Sequence, residues 1–147
     1  MNVTIENMTK ERIVDYAELY MSVFNASPWN DSWSEDTAHC RISEMMSADT
    51  FIGKAAYIDD VPVGFIIGQR EQGDISVQFC LKEFCVRTSE QSKGIGTSLL
   101  NALKADLKEQ GITHIYLITS HGENTEGFYQ RRGFKTVSEI VMTNDID

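Results

Sequence analysis

EQSKGIGTSLL, Glu90 to Leu100, is the stretch on which the reading of this chain turns. A lysine precedes two glycines that flank one isoleucine, and an apolar stripe follows at Ile95, Leu99, Leu103 and Leu107, the spacing of one helix face. A helix that opens on glycines presents backbone N–H groups with no intrahelical acceptor at the positive end of its dipole. Such an opening faces an anion. Glycine suits the position because a Cβ would hold the anion away and because the turn can require positive φ. Gly111 stands where a C′ glycine ends a helix.

Three kinds of glycine loop compete for this anion. The P-loop needs G-x-x-x-x-G-K-[ST], which the chain lacks. The dinucleotide fingerprint needs a small third residue where Leu99 stands and an acid about 20 positions on, where the chain has Thr113, His114 and Ile115. It also needs the glycines directly after a strand, whereas the polar run RTSEQSK intervenes. Both nucleotide readings fail.

Outward from the loop, the chain alternates between helical and extended patterns. Asn2 to Glu6 reads as a strand, and Thr9 is placed to cap a helix reaching Phe24, with Ile13, Tyr16, Ala17, Tyr20 and Phe24 on one face. Asn25 to Trp33 is a loop, and Ser34 is placed to cap a second helix carrying Ala38, Ile42 and Met45, ending near Ser47. Phe51 to Ile58 and Pro62 to Arg70 read as strands meeting in a tight hairpin at Asp59-Asp60. Ile75 to Val86 is a third, long strand, and the glycine-opened helix follows. Ile112 to Thr119 reads as a strand, Asn124 to Arg132 as a short helix and Phe134 to Met142 as a last strand. A three-strand meander followed by a strand–helix–strand crossover implies an α+β fold on a mixed sheet, within a single domain over residues 1–147.

Gln91-Ser92-Lys93-Gly94-Ile95-Gly96 resembles the Q/R-x-x-G-x-G/A motif of the GNAT superfamily of N-acetyltransferases, which cradles the pyrophosphate of acetyl-CoA. Two further segments are similar to that family: Glu83-Phe84-Cys85-Val86, at the strand that pairs with pantetheine, and Glu126 to Phe134, EGFYQRRGF, at a short helix ending in Y-x-x-x-G-F. The resemblance implies a mostly antiparallel sheet of about six to seven strands flanked by about four helices, with a splay between strands four and five. It implies acetyl-CoA as cosubstrate and acetyl transfer to an amine by direct attack in a ternary complex. It implies that Phe84, Cys85 and Val86 offer backbone groups to pantetheine, an N–H of Cys85 or Val86 serving as oxyanion donor. Gln91 and the N–H groups of Ser92, Lys93, Gly94, Ile95, Gly96 and Thr97 would hold the pyrophosphate. Arg87 either adds charge there or is a solvated surface residue; Asn124 either contacts the cofactor or caps the following helix.

The chemistry needs a neutral amine and a proton for the departing thiolate, and an alkylamine with a pKa of about 10.4 is mostly protonated at neutral pH. Tyr129 matches the family's tyrosine and is the implied acid; packing is its alternative role. Glu83 interrupts the apolar CLKEFCV and is the candidate base or acceptor-site carboxylate, with a water chain as the alternative base. Cys85 has no His or Asn at a spacing that would activate it and reads as a small buried hydrophobe. For the acceptor, Trp29, Asp31 and Trp33 lie in the loop SPWNDSW, where cation–π and charge pairing can hold an ammonium, or where the tryptophans anchor the loop. That loop loosely resembles the aminoglycoside and small-amine branch of the family.

A net charge of −9 disfavours a nucleic-acid surface, and either favours cationic partners, here a small-molecule amine acceptor, or only keeps the chain in solution. The longest apolar runs are too short to cross a bilayer, and the charged opening MNVTIENMTKER lacks the apolar stretch of a signal peptide. Three cysteines without a C-x-x-C pair suit reduced thiols in the cytoplasm, and the three histidines show no metal-ligand spacing with them. Relatives in the family are often dimeric, so a homodimer is one arrangement the resemblance allows. The alternatives are a silent acetyl-CoA-binding sensor or regulatory module and a protein N-terminal or lysine acetyltransferase.

Overall fold

The computed structural model describes residues 2–146, and the chain divides into two compact units, Met1–Leu117 and Ile118–Asp147. The first unit carries β1 (Val3–Asn7), α1 (Ile13–Phe24), α2 (Glu35–Met46), β2 (Phe51–Ile58), β3 (Val61–Gln72), β4 (Val77–Val86), α3 (Ile95–Glu109) and β5 (Ile115–Tyr116). The sheet runs in the order β1-β2-β3-β4-β5, antiparallel up to β4 and parallel between β4 and β5.

One face of this sheet is covered by α1 and α2. Tyr16, Leu19, Tyr20 and Val23 of α1 and Ala38, Ile42, Met45 and Met46 of α2 are buried in one cluster with Ala55, Tyr57, Phe65, Ile67 and Cys85 of the sheet. The other face takes the stripe expected of α3, with Ile95, Leu99, Leu103 and Leu107 buried. At Gly64 a Cβ would lie 3.1 Å from Leu99 Cδ1, so the missing side chain lets α3 close on the sheet. Covered on both sides, β3 is buried without alternation from Pro62 to Gly68.

Local chemistry explains the element ends. Ser34 Oγ accepts from the Thr37 N–H at 3.1 Å while Thr37 Oγ1 accepts from the Ser34 N–H at 2.9 Å, a reciprocal box that starts α2 as expected. Asp59 and Asp60 take φ of 50° and 64°, and Ile58 pairs with Val61 across them, the two-residue primed turn that suits strand twist. Gly111, at φ 76°, donates to Lys108 O while Ile112 N–H donates to Leu107 O, so α3 ends in a Schellman motif. Thr9 differs from expectation. Its side chain makes no capping bond, a 3₁₀ turn over Lys10–Arg12 precedes α1, and the Thr9 N–H instead donates to Tyr16 Oη at 3.1 Å.

Three strand expectations need correction. The third begins at Val77, because Ile75 is 91% exposed and packs on nothing that would hold it in the sheet. Ile112 to Thr119 contracts to Ile115–Tyr116. Phe134 to Met142 forms no strand, and the described sheet has five strands, fewer than the six to seven expected. β-branched sequence favours a pleated, half-buried surface only where a neighbour strand supplies it, and Val137, Ile140, Val141 and Met142 are exposed.

In the second unit, α4 spans Glu126–Gln130. It ends through a second Schellman motif. Gly133, at φ 92°, donates to Gln130 O, Phe134 N–H donates to Tyr129 O at 3.0 Å, and the Tyr129 and Phe134 rings meet at 5.4 Å. The spacing Y-x-x-x-G-F is thus the geometry of a helix stop with its accompanying hydrophobic contact. Among the described residues no helix is long and apolar enough to cross a membrane.

Gly68 of β3 lies at the one register shift between β3 and β4, and a Cβ there would come within 2.2 Å of Cys80 O and 2.4 Å of Phe79 Cζ. Gly68→Ala is expected to destabilise the fold by about 1–3 kcal/mol through overpacking, read as a lower midpoint in urea unfolding. A midpoint equal to that of the wild type would contradict this packing.

Candidate active site

The site is organised by β4. Ile67 pairs with Glu83 but Gly68 with Leu81, so Lys82 is an extra, exposed residue in the ladder. Such a bulge changes which face each later side chain meets. Without it, alternation from Cys80 would turn Phe84 toward α1 and α2. With it, Glu83 and Cys85 take that face, beside Ile67 and Phe65. A carboxylate is thereby placed among the helices at the heart of the sheet.

Two neighbours meet it there. Tyr20 Oη donates to Glu83 Oε2 at 2.8 Å, and Arg41 donates to the same oxygen through Nη2 at 3.1 Å and Nε at 3.4 Å. The Glu83 side chain is 13% exposed and that of Arg41 42%, so the pair runs from the interior to the surface. Burial, then the charge of Glu83, push the Tyr20 phenol up, so it remains a donor. Burial works against the charge of Arg41, yet the adjacent Glu83 more than offsets it and holds the guanidinium above its ordinary value. Burial, then the charge of Glu83, push the Cys85 thiol up; it is a protonated core residue with no activating base.

The loop before α2 packs onto the same tyrosine. Trp33 meets Tyr20 at 4.9 Å between ring centroids, Phe24 meets Tyr20 at 4.8 Å and Trp29 meets Phe24 at 5.1 Å. Asn25 accepts from the Trp33 N–H and donates to its carbonyl, and Asp31 Oδ2 accepts from Trp33 Nε1 at 3.0 Å. Trp33 is therefore an anchor of this loop, whereas Trp29 is 42% exposed.

On the other side, β4 splays. Its pairing with β5 covers only Phe79 and Cys80, so from Leu81 to Val86 that edge carries no strand among the described residues. The Arg87 N–H donates to Val63 O at 2.7 Å. Counting back by the two-residue period, Cys85 directs its backbone groups at β3 while Phe84 and Val86 direct theirs to the open edge. Gln91 Nε2 donates to Val86 O at 3.0 Å, which ties the following loop to the strand end.

That loop has the backbone geometry of an anion cradle. Ser92 and Gly94 take left-handed φ of 65° and 85° on either side of Lys93, an arrangement that turns successive N–H groups inward. Gly94 caps α3 without any side-chain bond, and the helix's first backbone bond is Ser98 N–H to Gly94 O. The amides of Ile95 and Gly96 therefore open at the positive end of a 15-residue helix with no capping side chain over them. Donors of this kind fit a diphosphate. Lys93 pairs with Glu90 at 3.0 Å, and Arg87 reaches Glu18 at 3.1 Å and Pro62 O, so both basic side chains also brace the loop.

Tyr129 and Asn124 belong to the second unit, Asn124 in the turn before α4, whose N-cap is Thr125. Sequence reasoning missed Tyr20 and Arg41 as site residues. The signal for Arg41 was its place three positions after buried Ala38, on the flank of the inward stripe. Tyr20 falls on the core stripe of α1, and periodicity does not register its hydroxyl. Among the described residues no cluster of His, Cys, Asp or Glu could hold a metal ion.

Residues 12–134 match the acetyltransferase (GNAT) family. A protein of Bacillus subtilis (strain 168), provisionally named as an acetyltransferase, is 29% identical over 98% of this chain and 91% of its own. Among solved structures, the aminoglycoside N-acetyltransferase AAC(6')-Iy in complex with CoA superposes with a TM-score of 0.77 at 18% identity, covering 98% of this chain and 95% of that one. A ribosomal-protein-alanine N-acetyltransferase from Brucella melitensis biovar Abortus 2308 does so at 0.81 and 16% identity, over 99% and 100%. The chain belongs to the acetyltransferase (GNAT) family, and is an N-acetyltransferase that uses acetyl-CoA as cosubstrate.

Two outcomes follow from this geometry. Gly94→Val places a side chain at left-handed φ with no atom within 4 Å of its Cβ, so it should cost the fold only about 1–2 kcal/mol of backbone strain while abolishing the thermal stabilisation that CoA confers on the wild type. With a thiol reagent at pH 8, Cys40 should react first, slowed by the neighbouring Glu44, and buried Cys80 and Cys85 only on unfolding. Rapid modification of Cys85 in folded protein would contradict its burial.

Proposed function

We propose that the chain moves the acetyl group of acetyl-CoA to the primary amine of a small molecule by direct attack in a ternary complex. One observation carries this reading: the bulge at Lys82 places Glu83 on the α1/α2 face of the same strand whose open edge leads, through Gln91, to the cradle at Ser92–Gly96. Cofactor contacts and an amine-binding carboxylate thus lie on one short piece of backbone.

In this reading Ser92 to Thr97 hold the pyrophosphate with backbone amides, and Phe84 and Val86 bind the pantetheine arm by strand addition. Glu83 receives the amine. Its Oε2 is held by Tyr20 and Arg41, and among the described residues no donor reaches Oε1. Oε1 accepts from the ammonium, orients the nitrogen and takes one of its protons, which frees the lone pair that attacks; once the C–N bond forms, the acidic nitrogen releases its second proton to water. The Val86 N–H, on the open edge, faces the carbonyl oxygen as it gains negative charge. When the C–S bond breaks, Tyr129 donates its phenolic proton to the leaving sulfur. Trp29 and Asp31 contribute to the acceptor side from the loop before α2. The −9 charge of the chain supports an acceptor that arrives as an ammonium ion.

Thiol release from acetyl-CoA over a panel of amines tests this. Tyr129→Phe keeps the ring that packs on Phe134 and should lower kcat about 100-fold or more with CoA binding unchanged. Thermal stabilisation by acetyl-CoA without turnover of any amine would favour a silent binding module instead.

A further inference from the structure

The class of acceptor turns on Arg41. An ammonium-binding site built around one buried carboxylate should leave that carboxylate's charge available. Here that charge is shared, because Arg41 binds Glu83 Oε2 at 3.1 Å from α2, and the Arg41 side chain, 42% exposed, is the more accessible member of the pair. Two of its nitrogens, Nε and Nη2, donate to Glu83 Oε2, and the Tyr20 hydroxyl also lies beside the guanidinium. The local charge is thus a dipole, with Glu83 at the inner end and Arg41 at the outer one.

Three kinds of amine would meet this dipole differently. A polycation presents further positive charge to Arg41 and is repelled at the contact that should hold it. A molecule of net negative charge pairs with Arg41 but approaches a chain of net charge −9. A zwitterion avoids both penalties, and a planar guanidinium edge is the partner that a carboxylate prefers. Glu83 and Arg41 are in direct contact, so the two groups they bind must also be near neighbours in the acceptor. The amine and carboxylate of an α-amino acid are separated by a single carbon.

We infer that Arg41 determines acceptor specificity, and that the acceptor is an α-amino acid whose amine meets Glu83 and whose carboxylate meets Arg41. This deepens the function proposed above and rests on Glu83 being its acceptor carboxylate. Arg41 also shields Glu83 from cations, so the same residue selects for one acceptor class and against another.

The test uses the full chain saturated with CoA for calorimetry, and with acetyl-CoA for initial rates. The probes are the proteinogenic L-amino acids, their primary amides, which lack the carboxylate, and spermidine. In the wild type the best amino acid should exceed its own amide by about tenfold or more in both affinity and kcat/KM. Arg41→Gln should bring that ratio to about one and raise binding of spermidine. Arg41→Lys, which keeps the charge and loses the fork, should restore part of the preference; it also serves should the glutamine variant fold poorly. Amides or spermidine equalling the amino acids in the wild type would overturn the inference, as would a preference that survives Arg41→Gln, or no amino acid binding at all. Turnover of spermidine alone would sink this inference and leave acetyl transfer standing. Arg41-dependent binding of amino acids with no turnover would do the reverse.

Discussion

The structure depends on one extra residue in a β-ladder. Lys82 has no counterpart on β3, and that single insertion changes the parity of everything after it on β4. Side chains exchange faces, so Glu83 comes to lie against Tyr20 and Arg41 and Cys85 enters the core. Backbone groups exchange edges as well, so Phe84 and Val86 address the side that β5 leaves open beyond Cys80. A strand edge without a neighbouring strand is ordinarily an aggregation hazard. Here it is short and follows directly on the bulge, and it adjoins the cradle that opens α3.

Around that strand the protein separates its tasks by layer. The loop that opens α3 presents main-chain amides and needs no particular side chain at Ser92–Gly96 beyond permission for left-handed φ. The α1/α2 face does the opposite: it sets charge and shape with side chains, a carboxylate bracketed by a phenol and a guanidinium beneath an aromatic cluster. Backbone recognition tolerates sequence change and side-chain recognition does not. This fits a family in which one superposable fold serves an aminoglycoside enzyme and a ribosomal-protein-alanine enzyme alike.

Much of this was legible in the sequence, and the failures share a cause. Features fixed by neighbours in the chain could be read directly: the Ser34 cap, the Asp59-Asp60 turn, the α3 stripe and its Gly111 stop. Features fixed by distant partners could not. Phe134 to Met142 has the composition of a strand, but a strand exists only with a ladder beside it. The bulge left one faint mark, the adjacent polar pair Lys82-Glu83 in an otherwise apolar run, which strict alternation would not produce. That pair drew attention to Glu83 without revealing which face it would meet. Arg41, 42 positions away in sequence, could be tied to Glu83 only through coordinates. The family's Y-x-x-x-G-F spacing was recognised as a signature, and the structure supplies its physical content, a Schellman stop with a ring contact across it.

The aromatic packing around Tyr20 has a practical corollary. The chain contains two tryptophans, and both lie in the segment between α1 and α2, Trp33 seated on Tyr20 and Trp29 on Phe24. Indole emission from this protein therefore originates entirely from the loop packed on Tyr20 and Phe24, with no background from α3. The native molecule carries its own optical gauge of the α1/α2 face.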